Sequence, residues 1–212
     1  MIGENPARKL VNPETKESEK HVLPKPQARL LIESLTLRDR LIAMTAAFCA
    51  MRPGEIFGLQ WSSWRGTLRA GKAKTRGSKA PVAIPDILSP LIEAWHEENG
   101  RETTGLIFLS EKGTPMRPEN WLRRRIKPHA QMLGILVPVN FQVLRRTFAT
   151  NAQSHGNAKD VQTHLRHSDI ATTLGIYTQP IDESVRKLVN AVAEDVMSSK
   201  ELEAQVVTTP VQ

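Results

Sequence analysis

From Arg40 to Ala50 the chain reads RLIAMTAAFCA, a run with few polar positions anywhere around a helical wheel. A helix over about Leu37 to Ala50 therefore offers no face suited to water and has to be buried over most of its surface. The apolar run itself, Leu41 to Met51, is too short to cross a bilayer, so the rest of the chain has to be packed around it. Met51-Arg52-Pro53-Gly54 breaks the run. Pro53 fits the first position of a following helix that carries Glu55, Ile56 and Leu59, which leaves Arg52 at a helix junction. By position alone, an arginine there is a solvated cap residue.

The other segments arrange themselves as mostly helical. Pro24 and Pro26 sit where a helix starts, and LLIESL has the apolar spacing to continue it. TLRAGKAKTRGSKAPVAIP reads as a hairpin of two short extended runs around Arg76-Gly77-Ser78. Asp86 to Glu98 is a scaffold helix with Leu91, Ile92 and Trp95 inward, and LIFLS is a short buried strand or extended segment. ENWLRRRIKPHAQMLGI is a basic helix with Trp121, Leu122, Ile126 and Met132 toward the core. Phe141 to Ser154 is helical, with Leu144, Phe148 and Ala149 inward and Gly156 placed to terminate it. A short helix from about Ala158 to Arg166 follows, and Ser168 or Asp169 can cap another through Tyr177. A last amphipathic helix shows Val185, Leu188, Val189, Val192 and Val196 as its stripe.

With 212 residues and 40% hydrophobic content, one good-sized core is expected. The divisions read from the sequence are a linker or tail over 1–22, a main domain over 23–180, and a C-terminal helix and tail over 181–212. The net charge of +7 favours a polyanionic partner, nucleic acid ahead of an anionic membrane. Cys49 is the single cysteine, which excludes an intrachain disulfide and a cysteine-based zinc cluster; inside its apolar run it reads as a small buried hydrophobe. The N-terminus is polar and lacks an apolar signal-like run, so a cytoplasmic protein is expected, nucleoid-associated if its polyanion is DNA.

Phe141 to Pro180 concentrates the chemistry: FQVLRRTFATNAQSHGNAKDVQTHLRHSDIATTLGIYTQP contains Arg145, Arg146, His167 and the only tyrosine of the chain, Tyr177. QVLRRTFAT, LRHS and IYT resemble the C-terminal motifs of the tyrosine recombinase (phage integrase) family, which read H-x-L-R-H-T-F-A-T, L-G-H-S and a nucleophilic Tyr. MRPGEIFGLQW is similar to that family's G-L-R-x-x-E-x-x-x-L-x-W, and KTRGSKAPV to its K-T-x-x-S-[KR]-x-x-[VI] hairpin. The resemblance implies a mainly α (α+β) catalytic domain with a small antiparallel hairpin, the DNA breaking-rejoining fold. It implies site-specific recombination or integration of double-stranded DNA through a covalent 3′-phosphotyrosine.

The site residues follow from the same resemblance. Tyr177 is the nucleophile, whose phenol of ordinary pKa near ~10 has to lose its proton during attack. Arg52 and Arg145 present planar forks of donors to the non-bridging oxygens, which a lysine does not reproduce. Lys74 protonates the leaving 5′ oxygen, with Lys72 as the runner-up two residues away on the same strand face. His167 hydrogen-bonds the phosphate as charge builds, and Glu55 orients its neighbours. Lys72, Arg76 and Lys79 on the hairpin, Arg123 and Arg124 on the basic helix, and Arg146 and Arg166 are the DNA-backbone candidates. A protected strand edge and a solvated helix face are the plainer readings of the hairpin and helix charges.

Three departures matter. Gln142 stands where the family has histidine; it can hydrogen-bond a phosphate but cannot shuttle a proton near neutral pH. Arg146 and Arg166 replace a histidine and a glycine of the pattern. Ala50-Met51 stands in place of Gly-Leu, a change to backbone freedom rather than to chemistry. No cofactor is expected, since neither a Walker-type loop nor a strand-glycine fingerprint is present, and acidic clusters with two-metal spacing are hard to find. The family's N-terminal DNA-clamping domain has no counterpart in the chain, which reads as a catalytic domain beginning near its linker. A homo-oligomer on DNA is implied, with the last helix docked on a neighbouring protomer or on its own domain. The alternatives are a helix-turn-helix-like DNA-binding regulator without catalysis, and type IB topoisomerase-like relaxation.

Overall fold

The structure is a computed structural model that describes residues 21–64, 68–69, 81–165 and 183–199. The helix predicted from its lack of a polar face is its centre. This helix, α2 (Leu37–Ala47), buries Asp39 and every residue from Leu41 to Ala47, each Leu, Ile or Met contributing about 1.5–3 kcal/mol. Its one buried hydroxyl, Thr45, is satisfied within the helix by donating to the Leu41 carbonyl at 2.7 Å. Around α2 pack α1 (Lys25–Ser34), the single turn α3 (Pro53–Ile56), α4 (Leu88–Glu98) and α7 (Phe141–Ala152).

The first helix begins at the prolines as predicted, and Leu23 just before it is 1% exposed. The Leu23 N–H donates to Thr147 Oγ1 at 3.0 Å, fastening the start of the described chain to α7. β1 (Leu68–Arg69) and β2 (Pro81–Val82) pair antiparallel, with Leu68 opposite Val82. These are the two ends of the predicted hairpin; its turn lies outside the described residues. LIFLS forms no strand, only isolated bridges from Leu106 to Gln60 and from Leu109 to Pro115. Among the described residues the fold is thus mainly helical with one small antiparallel pair, and no helix is long and apolar enough to cross a membrane.

Two of the predicted boundaries shift for identifiable reasons. α2 ends at Ala47 rather than Ala50, because Ala50 has φ of +48° and turns the chain into Arg52. In the basic segment, α5 (Pro118–Trp121) runs into a π turn (Leu122–Ile126) and then α6 (Lys127–Met132). Pro128 has no N–H to return to Arg124, and the Lys127 N–H reaches back five residues to the Leu122 carbonyl. That extra residue rotates everything after it by one position. Trp121 and Ile126 are buried as predicted, but Met132 is 70% exposed and Leu133 packs on the core instead.

The last helices close one side. α8 (Ala158–Leu165) and α9 (Glu183–Ser198) pack together, and α9 also lies on α1 and α7. All five valines and leucines of the predicted stripe are buried, with Ala193. Gly156 has a different task from the helix-terminating one expected of it. Its φ is not left-handed; a Cβ there would meet Leu188 Cδ1 at 2.8 Å, so its absence lets α9 approach. Polar contacts fix α9 at its middle and near its C-terminus. The Asp86 N–H donates to Asn190 Oδ1 at 2.8 Å, and Asn190 Nδ2 donates to Asp86 Oδ2 at 2.9 Å. Near the C-terminus Asp195 accepts from Lys25 Nζ at 2.5 Å and from His155 Nε2 at 2.6 Å. The Lys25 ammonium, and after it the His155 ring, hold the Asp195 carboxyl below its ordinary 3.8.

Candidate active site

Arg52 is the N-cap of α3 and has extended backbone, as the proline after it favours. The Glu55 carboxylate accepts the Arg52 main-chain N–H at 2.8 Å and approaches its Nη1 at 3.4 Å. Glu55 is 6% exposed whereas Arg52 projects outward, so a buried acid steadies the base of an exposed guanidinium.

Arg145 arrives from α7. Its Nη1 donates to the carbonyl of Ala50 at 2.6 Å, and its Nη2 donates to the carbonyl of Leu165 at the end of α8. Both acceptors matter for placement, because Ala50 lies two residues before Arg52 and Leu165 two residues before His167. One guanidinium thus braces the turn that leads into Arg52 and the last described residue of α8, two positions before His167 in the sequence. The left-handed Ala50 is what aims its carbonyl there, and at 0% exposure it has no room for a larger side chain. The replacement of glycine at this position therefore places an L-residue in a conformation that costs about 1 kcal/mol or more.

Gln142 is exposed on the first turn of α7, three residues before Arg145 and on the same side of the helix. Asn140 caps that turn, its Oδ1 accepting the Val143 N–H at 3.0 Å. Arg146 is half-buried beside Arg145. Tyr177, His167, Arg166 and the hairpin residues Lys72, Lys74, Arg76 and Lys79 lie outside the described residues.

Of the basic run on the π turn, Arg123 and Arg124 are exposed, and Arg125 is held. Arg125 pairs with Glu111 and with Asp39 Oδ2, the latter at 3.5 Å. Asp39 is 1% exposed and collects further donors: Trp121 Nε1 at 3.0 Å, Arg38 Nε at 3.3 Å and Thr36 Oγ1 at 3.2 Å. A buried carboxylate so saturated is stable only as a set. It sets the rotation of the α5–α6 segment, and with it the outward aim of Arg123 and Arg124.

His164 is a neighbour of the site that no motif marks. It is 4% exposed; its Nε2 donates to the Phe48 carbonyl at 2.8 Å, and its ring lies 4.7 Å from that of Phe148. A signal for its burial was present in the spacing, since Val161, His164 and Leu165 fall on one stripe of α8.

Residues 17–184 match the family model described as the phage integrase family. The tyrosine recombinase XerD of Pseudomonas aeruginosa is 32% identical over 156 residues, which is 69% of this chain and 51% of that protein. XerD of Pseudomonas putida is 30% identical over 172 residues, 76% of this chain and 56% of that protein. The tyrosine recombinase XerC of Xanthomonas axonopodis pv. citri is 28% identical over 199 residues, 90% of this chain and 64% of that protein. The chain thus spans little more than half the length of the two XerD relatives. Among solved structures, the crystal structure of XerA recombinase matches with a TM-score of 0.62 at 21% identity, covering 85% of this chain and 66% of that one. At that identity the likeness speaks for the fold.

Proposed function

The chain belongs to the phage integrase family, and from that premise we propose that it performs site-specific recombination of double-stranded DNA by metal-independent transesterification. The observation that supports this reading most is the bond from Arg145 to the Ala50 carbonyl, which joins the two arginine motifs across 95 positions of sequence. Arg52 and Arg145 take the non-bridging oxygens of the scissile phosphate and hold the charge of the phosphorane. The Tyr177 oxygen gives its proton to solvent as it forms a bond to phosphorus, the bond from phosphorus to the 5′ oxygen breaks, and Lys74 gives that oxygen its proton. His167 donates to the phosphorane. Attack by another strand's 5′-hydroxyl reverses the step and releases Tyr177, so the phosphodiester energy is conserved.

Gln142 contributes a hydrogen bond but no proton, which slows the protonation steps relative to a histidine. Arg123 and Arg124 lie along the DNA backbone. The working unit is a homo-oligomer on DNA at the nucleoid. The seat that α9 occupies on its own α1, α7 and α8 is also the seat a neighbour's α9 would take, so exchange between protomers needs no new surface.

The test is covalent trapping. The protein is incubated with a pool of nicked duplexes of randomised sequence and protease-sensitive, denaturant-resistant adducts are collected. An adduct that is lost in Tyr177→Phe and accelerated in Gln142→His is the expected result. Sequence-selective DNA binding with no adduct from any duplex would instead make the chain a non-catalytic DNA-binding protein.

A further inference from the structure

We propose that His164 is a positioning residue for the phosphate site, closing a hydrogen-bonded circuit that holds Arg145. The inference rests on the functional reading above for what the circuit serves, and on geometry alone for the circuit itself.

The circuit has five links, three hydrogen bonds and two stretches of main chain. The Phe48 carbonyl accepts from His164 Nε2 at 2.8 Å. The main chain then runs from His164 to Leu165, whose carbonyl accepts from Arg145. Arg145 donates in turn to the Ala50 carbonyl at 2.6 Å. From Ala50 the main chain returns through the buried Cys49 to Phe48. Two carbonyls just past the end of α2, which a helix terminus leaves without intrahelical partners, are thereby satisfied by one side chain from α7 and one from α8. Because a carbonyl only accepts, Nε2 must carry the proton, which the neutral imidazole supplies.

The arrangement constrains more than stability. Without the bond from His164 to Phe48, more of the hydrogen-bonded tie between the end of α8 and the α2 turn falls on Arg145, and the guanidinium has to serve as both tether and phosphate ligand. With it, the Leu165 carbonyl is set by His164 next to it, and Arg145 meets an acceptor already in place. The His164 ring also rests at 4.7 Å, inclined by 42°, on Phe148, one turn beyond Arg145 on α7, so it restrains the helix that carries the arginine. A displacement of about an ångström at a catalytic group costs on the order of a hundredfold in rate, and His164 lies where such a displacement would start.

The experiment compares His164→Leu, which keeps apolar bulk and removes the donor, with His164→Gln, which keeps an N–H at similar reach. Two readouts are used on the full chain. One is the ¹H–¹⁵N signal of the Arg145 Nε–H in the protein alone, assigned by its loss in Arg145→Lys. The other is the single-turnover rate of adduct formation, measured beside the dissociation constant, on a nicked duplex recovered from the randomised pool. In His164→Leu the Arg145 signal is expected to shift from its wild-type position as the Leu165 acceptor loses its fixed place. The adduct rate should fall about 10- to 100-fold while DNA affinity stays within about twofold. His164→Gln should recover both. An unmoved Arg145 signal in folded His164→Leu, or a wild-type adduct rate, overturns the proposal. Should His164→Leu not fold, His164→Gln against His164→Met gives the same contrast. If the wild type forms no adduct, it is the functional reading that fails, and the circuit is decided by the Arg145 signal.

Discussion

Arg145 Nη1 lies 2.6 Å from the main-chain oxygen of Ala50, a bond that draws α7 onto the turn leading into Arg52. Lysine at this position would keep the charge and lose the fork that reaches Ala50 and Leu165 together. Arg145→Lys is therefore expected to cost about 2 kcal/mol of stability and to abolish measurable adduct formation. Urea denaturation and the trapping assay check the two halves separately. Wild-type stability in the variant would mean that the two carbonyls do not depend on the arginine.

Ala50 itself sets two effects against each other. Glycine would relieve about 1–2 kcal/mol of left-handed strain and would lose a buried methyl worth about 0.8 kcal/mol, together with about 0.4–1 kcal/mol through the freer unfolded chain. Ala50→Gly should therefore unfold within about 1 kcal/mol of the wild type, whereas Ala50→Val, branched at Cβ and fully enclosed, should be destabilised by well over that. Denaturant midpoints of the two variants decide the matter.

At Asp39 the expectation is a large loss. Asp39→Ala leaves Trp121 Nε1, Arg38 and Arg125 without their common acceptor, and breaking such a buried set costs about 3–5 kcal/mol. Trp121→Phe removes one donor only and should cost about 1–2 kcal/mol. A smaller effect from Asp39→Ala than from Trp121→Phe in urea unfolding would contradict the hub.

The three neighbouring arginines should behave differently. Replacing exposed Arg123 and Arg124 together by glutamine is expected to reduce the slope of log affinity for DNA against log salt by about 2, near 0.9 for each phosphate no longer neutralised. Arg125→Gln should leave that slope alone and lower the unfolding midpoint, because its guanidinium is engaged with Asp39 and Glu111. Equal slope changes in the two variants would mean that Arg125 also reaches DNA.

Asp195 makes a pH prediction. Its folded-state carboxyl is held below 3.8 by Lys25 and His155, so the stability it adds is present above that pH and is lost as pH falls through the depressed value. Being partly exposed, the cluster is worth about 1 kcal/mol. Asp195→Asn should show that deficit at pH 7 and converge on the wild type as pH falls through the depressed value, which thermal unfolding across the acid range would reveal. A deficit that persists unchanged at low pH would assign the effect to packing.

What the sequence determined by itself was whatever is written in local periodicity. The encased helix around Ala43 to Ala47, the junction at Arg52-Pro53, the two hairpin ends and the stripe from Val185 to Val196 were all legible, because burial of a repeating face and the missing N–H of proline act within a few residues. The order of the motifs likewise carries the family resemblance. Tertiary structure decided the rest. The one-residue rotation that exposes Met132 depends on a π turn. Glycine at 156 is required by Leu188, which lies on another helix. The bracing of Arg145 and His164 runs through main-chain carbonyls 95 and 116 positions away. A carbonyl belongs to every residue alike, so the sequence carries no mark of which ones a distant side chain will find; only the packing of α7 and α8 against the end of α2 selects them.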